Sequence, residues 1–333
     1  MSDAASPAAA PPPLPPAADT LVEVTGLNRV FDSVHAVQDL SFSIRRGAVV
    51  GFIGANGAGK TTTMRIMATL DEPTSGSVVV DGLDVVEEPA RVRRLVGWMP
   101  DAFGTYPNMT VFEYLDFFAR SYGFSRQERR SRVEEVMDFA DLTPLADRQM
   151  GKLSKGMGQR LCFGRMLIPD PAFMILDEPA AGLDPKARLE FKNLVRLLAA
   201  RGKTLFISSH ILSELGEMCD SLLFIDGGRL VFHGDADDLK HGTTDAGQGE
   251  EMAVLVTVAG PTGPLLEWAE MTQGWRVVEE RRDGARLACT GSDAALLADG
   301  LRRLVAAGVQ VVEFHREQRR LEEAFVDMVK ERR

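Results

Sequence analysis

The stretch Gly54-Ala55-Asn56-Gly57-Ala58-Gly59-Lys60-Thr61-Thr62 fits the pattern G-x-x-x-x-G-K-S/T. An apolar run typical of a β-strand precedes it at residues 48–53, and a helix-like run follows at residues 62–68. Glycines let such a loop curl so that several backbone N–H groups face one anion, and the helix N-terminus adds positive potential. The stretch therefore predicts a phosphate-binding loop in an α/β protein; the alternative is a glycine-rich turn followed by a chance Lys-Thr pair.

Two side chains of this loop have the chemistry to bind a nucleoside triphosphate. We expect Lys60 to reach the β- and γ-phosphates and the Thr61 hydroxyl to ligate Mg²⁺. The remaining phosphate contacts are expected from backbone groups of the same loop. The predicted nucleotide-binding residues of the loop are Gly54, Asn56, Gly57, Ala58, Gly59, Lys60, Thr61 and Thr62.

Composition and charge exclude several classes of protein. With 45% hydrophobic and 26% charged residues, the 333-residue chain is of ordinary globular composition and long enough for about two domains. Its net charge of −10 argues against a surface that grips nucleic acid. The apolar runs are too short to span a bilayer, and the N-terminus does not resemble a secretory signal. The three cysteines lack metal or disulfide spacing, which indicates a reducing compartment.

Changes of composition along the chain predict four segments. Residues 1–19 are nearly all Ala, Pro and Ser and are expected to be a disordered tail, with a proline-directed protein-binding role as the alternative. Residues 20–240 carry the strand and helix patterns of the phosphate-binding domain. Residues 241–250 are polar and glycine-rich, which is typical of a linker. Residues 251–333 then alternate strands and helices, which predicts a small α+β accessory domain.

Polar residues follow two strands that are expected to lie beside the phosphate loop. Asp177 and Glu178 come directly after the apolar run at residues 173–176, and His210 follows the run at residues 204–208. Ligands of open α/β sheets bind at the carboxyl ends of the strands. Asp177 can therefore hold Mg²⁺, and Glu178 can orient or deprotonate the attacking water. His210 can donate a hydrogen bond to a phosphate, and a structural histidine is its alternative.

Two further candidates lie outside these strand ends. Phe31 can stack on a nucleotide base through its π face, or it can be a core residue. Ser154 and Gly156 open a helix, which makes a second potential anion site; the alternative is an ordinary N-capped helix.

Taken in this order, the motifs resemble those of the nucleotide-binding subunit of ABC transporters over residues 21–235. The matching positions are Phe31 (aromatic loop), Gly54 to Thr62 (Walker A), Leu153 to Met157 with Gln159 (signature), Ile175 to Glu178 (Walker B and catalytic glutamate), Gly182 to Asp184 (D-loop) and His210 (switch histidine). The resemblance implies a P-loop NTPase (RecA-like) core with an antiparallel β flap and a helical subdomain at about residues 105–165. The C-terminal α+β domain, ending in residues 321–325, looks like the extension of exporter-type ATPases.

The sequence departs from the family pattern at the Q-loop and the signature. Asp101 stands where the family has Gln; a carboxylate is a hard Mg²⁺ ligand and can replace the amide oxygen, but it cannot donate a hydrogen bond. Lys155 and Met157 stand where the signature has Gly and Gln. Lys155 either adds positive charge near the γ-phosphate or is solvated, and we favour the second interpretation.

The resemblance implies an ATPase that energises an ABC transporter, of the exporter type. It implies a head-to-tail homodimer that sandwiches two ATP molecules with Mg²⁺, in which Lys60 and Thr61 of one protomer face Ser154 and Gly156 of the other. Glu178, His210 and Lys60 would act in catalysis, and Thr61, Asp177 and Asp101 at the metal. Membrane subunits would be separate chains, and the protein would be cytoplasmic and peripheral on the inner face of the cell membrane. The alternatives are a soluble ABC ATPase acting on ribosomes or nucleic acid, and a non-catalytic binding module.

Overall fold

The computed structural model places the described residues in two compact units. Described residues up to Asp235 belong to the first unit, and those from Glu251 onwards to the second. The expected tail apart from Asp19, the linker at residues 241–250 and the C-terminal residues 321–325 fall outside the described residues. The described residues are 19–102, 104, 106–211, 215–216, 218–235, 251–291 and 294–316.

The first unit alternates strands and helices after an initial pair of long strands. Its elements are β1 (Thr20–Phe31), β2 (Val34–Arg45), β3 (Val49–Ile53), α1 (Lys60–Met67), β4 (Ser75–Val80), β5 (Leu83–Asp84), α2 (Pro89–Leu95), β6 (Val96–Met99), α3 (Val111–Ser121), α4 (Arg126–Phe139), α5 (Lys155–Leu167), β7 (Phe173–Leu176), α6 (Pro185–Ala200), β8 (Thr204–Ser209), β9 (Ser221–Asp226) and β10 (Arg229–Asp235). Two short 3₁₀ helices, Thr143–Leu145 and Met150–Lys152, lie between α4 and α5.

A six-stranded sheet forms the centre of this unit, in the order β10-β9-β3-β8-β7-β6. Neighbouring strands from β9 to β6 are parallel, and β10 pairs antiparallel with β9 around the turn at residues 226–229. Every residue of β7 is buried, as expected for a strand that is covered on both faces. The α/β core predicted from the phosphate loop is confirmed.

A second sheet of the first unit, in the order β2-β1-β4-β5, is antiparallel and packs on the central sheet. Phe42 of β2 stacks on Phe206 of β8 with ring centroids 5.8 Å apart, and Phe206 stacks on Phe52 of β3 at 4.9 Å. Offset aromatic pairs of this kind contribute about 0.5–1.5 kcal/mol each beyond their burial. The expected antiparallel flap is therefore joined to the strand that precedes the phosphate loop.

Helices α3, α4 and α5 form the helical region between β6 and β7. Thr110 caps α3 and Ser125 caps α4, each in a reciprocal capping box with a glutamate three residues later. Helix α3 buries Val111, Tyr114 and Leu115, which share one helical face by their spacing of three and four residues, whereas Phe118 is only partly buried. Local sequence signals therefore set the starts of these helices, and apolar periodicity sets the face that they bury.

The second unit has a split β-α-β arrangement. Its elements are β11 (Glu251–Val258), α7 (Gly263–Met271), β12 (Trp275–Arg281), β13 (Gly284–Thr290), α8 (Ala294–Ala306) and β14 (Val311–Arg316). The strands form one antiparallel sheet in the order β12-β13-β11-β14. Its core contains Trp268 against Trp275, with ring centroids 5.3 Å apart. The expected α+β character is found in the described part of this unit.

At two places the local residue pattern predicts an element that the structure does not have. The sequence places Leu95 at the start of a strand, but it ends α2, a short helix that the pattern does not predict and that Pro89 opens at its first position. The sequence also assigns Ser75 and Gly76 to a turn. In the structure β4 already begins at Ser75, because Ser75 pairs with Asn28 of β1.

Candidate nucleotide-binding site

The phosphate loop connects β3 to α1 and has the backbone that its glycines predict. Gly57 and Gly59 have φ values of 81° and 105°, in the left-handed region that favours glycine. A Cβ on Gly59 would collide with the carbonyl oxygen of Ala36, so the flap leaves no space for a side chain there. The buried Lys60 donates from Nζ to the carbonyl oxygen of Gly54 at 2.7 Å. The loop therefore directs its one ammonium group inwards, at the N-terminus of α1.

Thr61 and Asp177 meet at the edge of the sheet where β3 and β7 end. The Thr61 hydroxyl donates to Asp177 Oδ2 at 2.8 Å, and Asp177 is 2% exposed. Within the described residues, no three His, Cys, Asp or Glu side chains converge to form a complete metal cage. Mg²⁺ usually takes only one or two protein oxygens and completes its shell with phosphate and water. The hydroxyl–carboxylate pair fits that requirement.

Glu178 lies between the phosphate-loop lysine and the predicted switch histidine. Its Oε1 is 3.5 Å from Lys60 Nζ, and its Oε2 is 2.8 Å from His210 Nδ1. The residue adopts φ 47°, which is uncommon for a residue with a side chain. Lys60 and His210, which are 150 positions apart in the chain, thus both contact Glu178.

Ser208, on β8, is a site residue that the sequence reasoning missed. Its hydroxyl donates to Asp177 Oδ1 at 2.7 Å and accepts the backbone N–H of Glu178 at 2.8 Å. Leu176 pairs with Ile207, so the residues that follow each of them are neighbours across the sheet. The available signal was the pair of serines, Ser208 and Ser209, that follows the apolar run at residues 205–207.

Phe31 ends β1 and is 41% exposed, so it is not a core residue. The guanidinium carbon of Arg29 lies 4.3 Å from its ring centroid, which covers part of the ring by a cation–π contact. Arg29 is itself held by an ion pair with Asp71 at 2.7 Å. The exposed area of the ring is available for a stacked base, which keeps the predicted role physically reasonable.

The signature residues lie at the start of α5. Ser154 is its N-cap and accepts the N–H of Met157. A Cβ on Gly156 would come 3.3 Å from Ala187 of α6, which is a tight approach. Lys155 is exposed, and its Nζ lies against Gly182 of the D-loop turn. In the described part of the chain, no hydrogen bond or ion pair connects Ser154 to the phosphate loop of the same chain.

Asp101 is exposed at the end of β6. It lines a cavity of about 270 Å³ together with Met150, Ser154 and Gln159. The described contacts do not connect Asp101 with Thr61 or Asp177, so its metal role remains a prediction.

No helix among the described residues has the length and apolar character needed to cross a bilayer. A family model described as "ABC transporter" matches residues 37–181. The Nod factor export ATP-binding protein I of Cupriavidus pinatubonensis is 36% identical over 261 residues, covering 77% of this chain and 79% of its own. The daunorubicin resistance ATP-binding protein DrrA3 of Streptomyces coeruleorubidus is 31% identical over 312 residues, covering 93% of this chain and 96% of its own.

The same architecture is found in solved structures. The structure of an ATP-binding subunit of an ABC transporter superposes with a TM-score of 0.61 at 30% sequence identity, covering 67% of this chain and 93% of that one. The family model spans the chain from within β2 to the residues just after β7. The chain belongs to the ATP-binding subunits of ABC transporters.

Proposed function

We propose that this chain binds and hydrolyses ATP to energise an ABC transporter of the exporter type. The observation that carries the proposal is the contact network in which Lys60, Thr61, Asp177, Glu178 and His210 meet beside the phosphate loop. The export direction is supported by similarity to a relative named as a Nod factor export protein and to one named for daunorubicin resistance. We assign the choice of substrate to the membrane subunits, which would be separate chains.

Each residue of the network has a distinct role in the proposed reaction. Lys60 binds the β- and γ-phosphates. Thr61 and Asp177 would hold Mg²⁺, which would supply charge neutralisation at the phosphates. Glu178 orients and deprotonates the attacking water. His210, whose Nδ1 lies 2.8 Å from Glu178 Oε2, donates its imidazole N–H to the γ-phosphate when ATP is bound. Phe31 stacks on the adenine base.

We propose that two copies pair head to tail. Ser154 and Gly156 have the anion-binding chemistry of a helix N-terminus, yet no described contact connects Ser154 to the phosphate loop of the same chain. In a head-to-tail dimer, the signature of one protomer completes the γ-phosphate site of the other, and closure depends on ATP. Closure would then move separate membrane subunits.

The remaining assignments follow from this function. We propose an ATPase domain at residues 20–240, with its helical subdomain at about residues 105–165, a linker at residues 241–250 and an accessory domain at residues 251–333. The chain would work at the cytoplasmic face of the cell membrane, bound to its membrane subunits and not to nucleic acid.

The decisive experiment compares Glu178→Gln with the parent chain. The amide keeps the shape of the carboxylate but cannot accept a proton, so ATP binding is expected to persist while turnover falls by about 10²–10⁴-fold. Binding is measured by equilibrium titration, turnover by phosphate release and dimer formation by light scattering with ATP.

The matched control is Glu190→Gln, which removes a carboxylate on α6 that pairs with Arg160 instead of a site residue. Undiminished turnover of Glu178→Gln would overturn the catalytic assignment. Purification of the chain from membranes with ribosomes or nucleic acid, and with no membrane protein, would overturn the transporter assignment.

A further inference from the structure

We propose that Ser208 is a positioning residue for ATP hydrolysis, because one hydroxyl fixes both the metal-binding carboxylate and the catalytic glutamate. Ser208 is 0% exposed at the end of β8, between the parallel neighbours β3 and β7. The inference rests on the proposed function, and it assigns a role to a residue that no sequence motif singled out.

The hydroxyl of Ser208 uses its donor and acceptor capacity on two consecutive residues. It donates to Asp177 Oδ1 at 2.7 Å, and it accepts the N–H of Glu178 at 2.8 Å. Both bonds are within the normal range for strong protein hydrogen bonds. The contact with Asp177 is buried, where an unpaired polar atom would be costly.

The first bond determines which way the Asp177 carboxylate faces. Oδ1 is occupied by Ser208 and Oδ2 by the hydroxyl of Thr61, so the two bonds together fix the plane of the carboxylate. Thr61 can still offer an oxygen lone pair to Mg²⁺ while its proton is directed at Asp177. Without Ser208, the carboxylate would be free to rotate about its terminal torsion, and the direction of the Thr61 lone pair would no longer be set.

The second bond holds the backbone of Glu178 in its uncommon conformation. A φ of 47° is unfavourable for a residue with a Cβ and persists only where surrounding contacts impose it. The N–H of Glu178 points to Ser208 instead of continuing a ladder with a strand. This peptide orientation carries the side chain to Lys60 and His210, so the hydroxyl links metal binding to the placement of the catalytic carboxylate.

The test compares Ser208→Ala with the parent chain by two measurements that do not depend on turnover. Hydrogen exchange without nucleotide or metal reports the N–H of Glu178 directly, and we expect it to exchange at least about tenfold faster in Ser208→Ala. Equilibrium ATP binding is then measured in EDTA and in Mg²⁺, both on the Glu178→Gln background. Affinity in EDTA is expected to be unchanged, whereas the gain in affinity on adding Mg²⁺ falls by about 10–100-fold, the usual effect of losing an outer-shell contact.

Matched variants separate positioning from simple loss of stability. Ser209→Ala removes the neighbouring hydroxyl, which accepts the N–H of Ile211, and it is expected to retain the parental Mg²⁺ gain. Ser208→Thr keeps the hydroxyl and is expected to restore the gain; if its methyl group prevents folding, Ser208→Cys, a weaker donor of similar size, is expected to restore part of it.

Three results would overturn the proposal. The first is that Ser208→Ala keeps both the parental exchange rate of the Glu178 N–H and the parental gain in ATP affinity on adding Mg²⁺. The second is an equal loss of that gain in Ser209→Ala, and the third is no recovery of the gain in a folded Ser208→Thr or Ser208→Cys variant. Failure of the parent chain to bind ATP would instead count against the proposed function. The two failures are thus distinguishable in one set of titrations.

Discussion

Thr61 Oγ1 donates a hydrogen bond of 2.8 Å to Asp177 Oδ2, connecting residues that are 116 positions apart in the chain. The bond joins the first turn of α1 to the residue that follows β7. Strand β8 lies between β7 and β3, the strand that leads into α1. The Thr61 hydroxyl and the Asp177 carboxylate therefore act as a single pair of oxygen donors. The predictions below follow from this pair and from the contacts around it.

Removal of the Thr61 hydroxyl should reduce the gain in ATP affinity that Mg²⁺ provides, without abolishing nucleotide binding. Thr61→Ala is expected to bind ATP in EDTA like the parent, because Lys60 and the loop backbone remain. It should lose about 10–100-fold of the affinity gained on adding Mg²⁺. Thr61→Ser, which retains the hydroxyl, is the matched control and should behave like the parent in the same titration. Equal Mg²⁺ gains for the Ala and Ser variants would show that Thr61 is not a metal ligand.

Replacement of Phe31 should weaken nucleotide binding whatever the base. Stacking on an aromatic ring contributes about 1–3 kcal/mol per base, so Phe31→Ala should weaken ATP binding by about 5–150-fold. GTP should be affected similarly, because the π face does not distinguish purines. Phe31→Tyr keeps the ring and should retain affinity in competition titrations with a fluorescent analogue. If Phe31→Ala binds both nucleotides like the parent, the ring does not contact the base.

Two inactive variants should restore activity when they are mixed. Lys60→Ala disables the phosphate loop, and Ser154→Arg blocks the signature while leaving that loop intact. In a head-to-tail pair of the two, one site carries both substitutions and the other carries neither. Random pairing should therefore give about a quarter of the parental rate in a phosphate-release assay. The Ser154→Arg chain alone should bind ATP, which serves as the folding control, and a mixture without activity would contradict the shared site.

The cysteines should resist thiol reagents until the protein unfolds. Burial raises the pKa of the Cys162 thiol to about 11 and raises the pKa of Cys219 as well. Since the thiolate is the reactive species, both should be unreactive toward a disulfide reagent at neutral pH in the native chain. In denaturant, the three thiols of the chain should all react. Rapid stoichiometric labelling of Cys162 in the native protein would contradict the packing around α5.

Sequence patterns predicted the parts of the fold that depend on local chemistry. Asp184 accepts the N–H of Ala187 as an N-cap, and Pro185 occupies the first position of α6, as their types suggest. The phosphate loop also predicted its strand and helix, because its function depends on that local context. These signals lie within a few residues of the structure that they determine.

Features that depend on strand neighbours were harder to predict. The role of Ser208 follows from its position beside Asp177 across the sheet, which no spacing in the chain encodes. Helix α2 was missed because it has only seven residues and buries only Val92, so its sequence shows no apolar periodicity. The location of Asp101 beside Ser154 and Gln159 likewise depends on how the loop after β6 meets α5.

The parallel pairing of β7 with β8 also determines which kinds of mutation this protein can tolerate. Leu176 pairs with Ile207, and successive side chains of a strand point to opposite faces. Loss of a single codon in β8 before Ser208 would therefore bring Ser209 to the position of Ser208 and His210 to the position of Ser209. Such a chain would keep every residue named in the site and a hydroxyl beside Asp177, yet the imidazole would lie on the opposite face of the strand from that hydroxyl. A deletion in this strand should thus be more damaging than most substitutions in the loops that it supports.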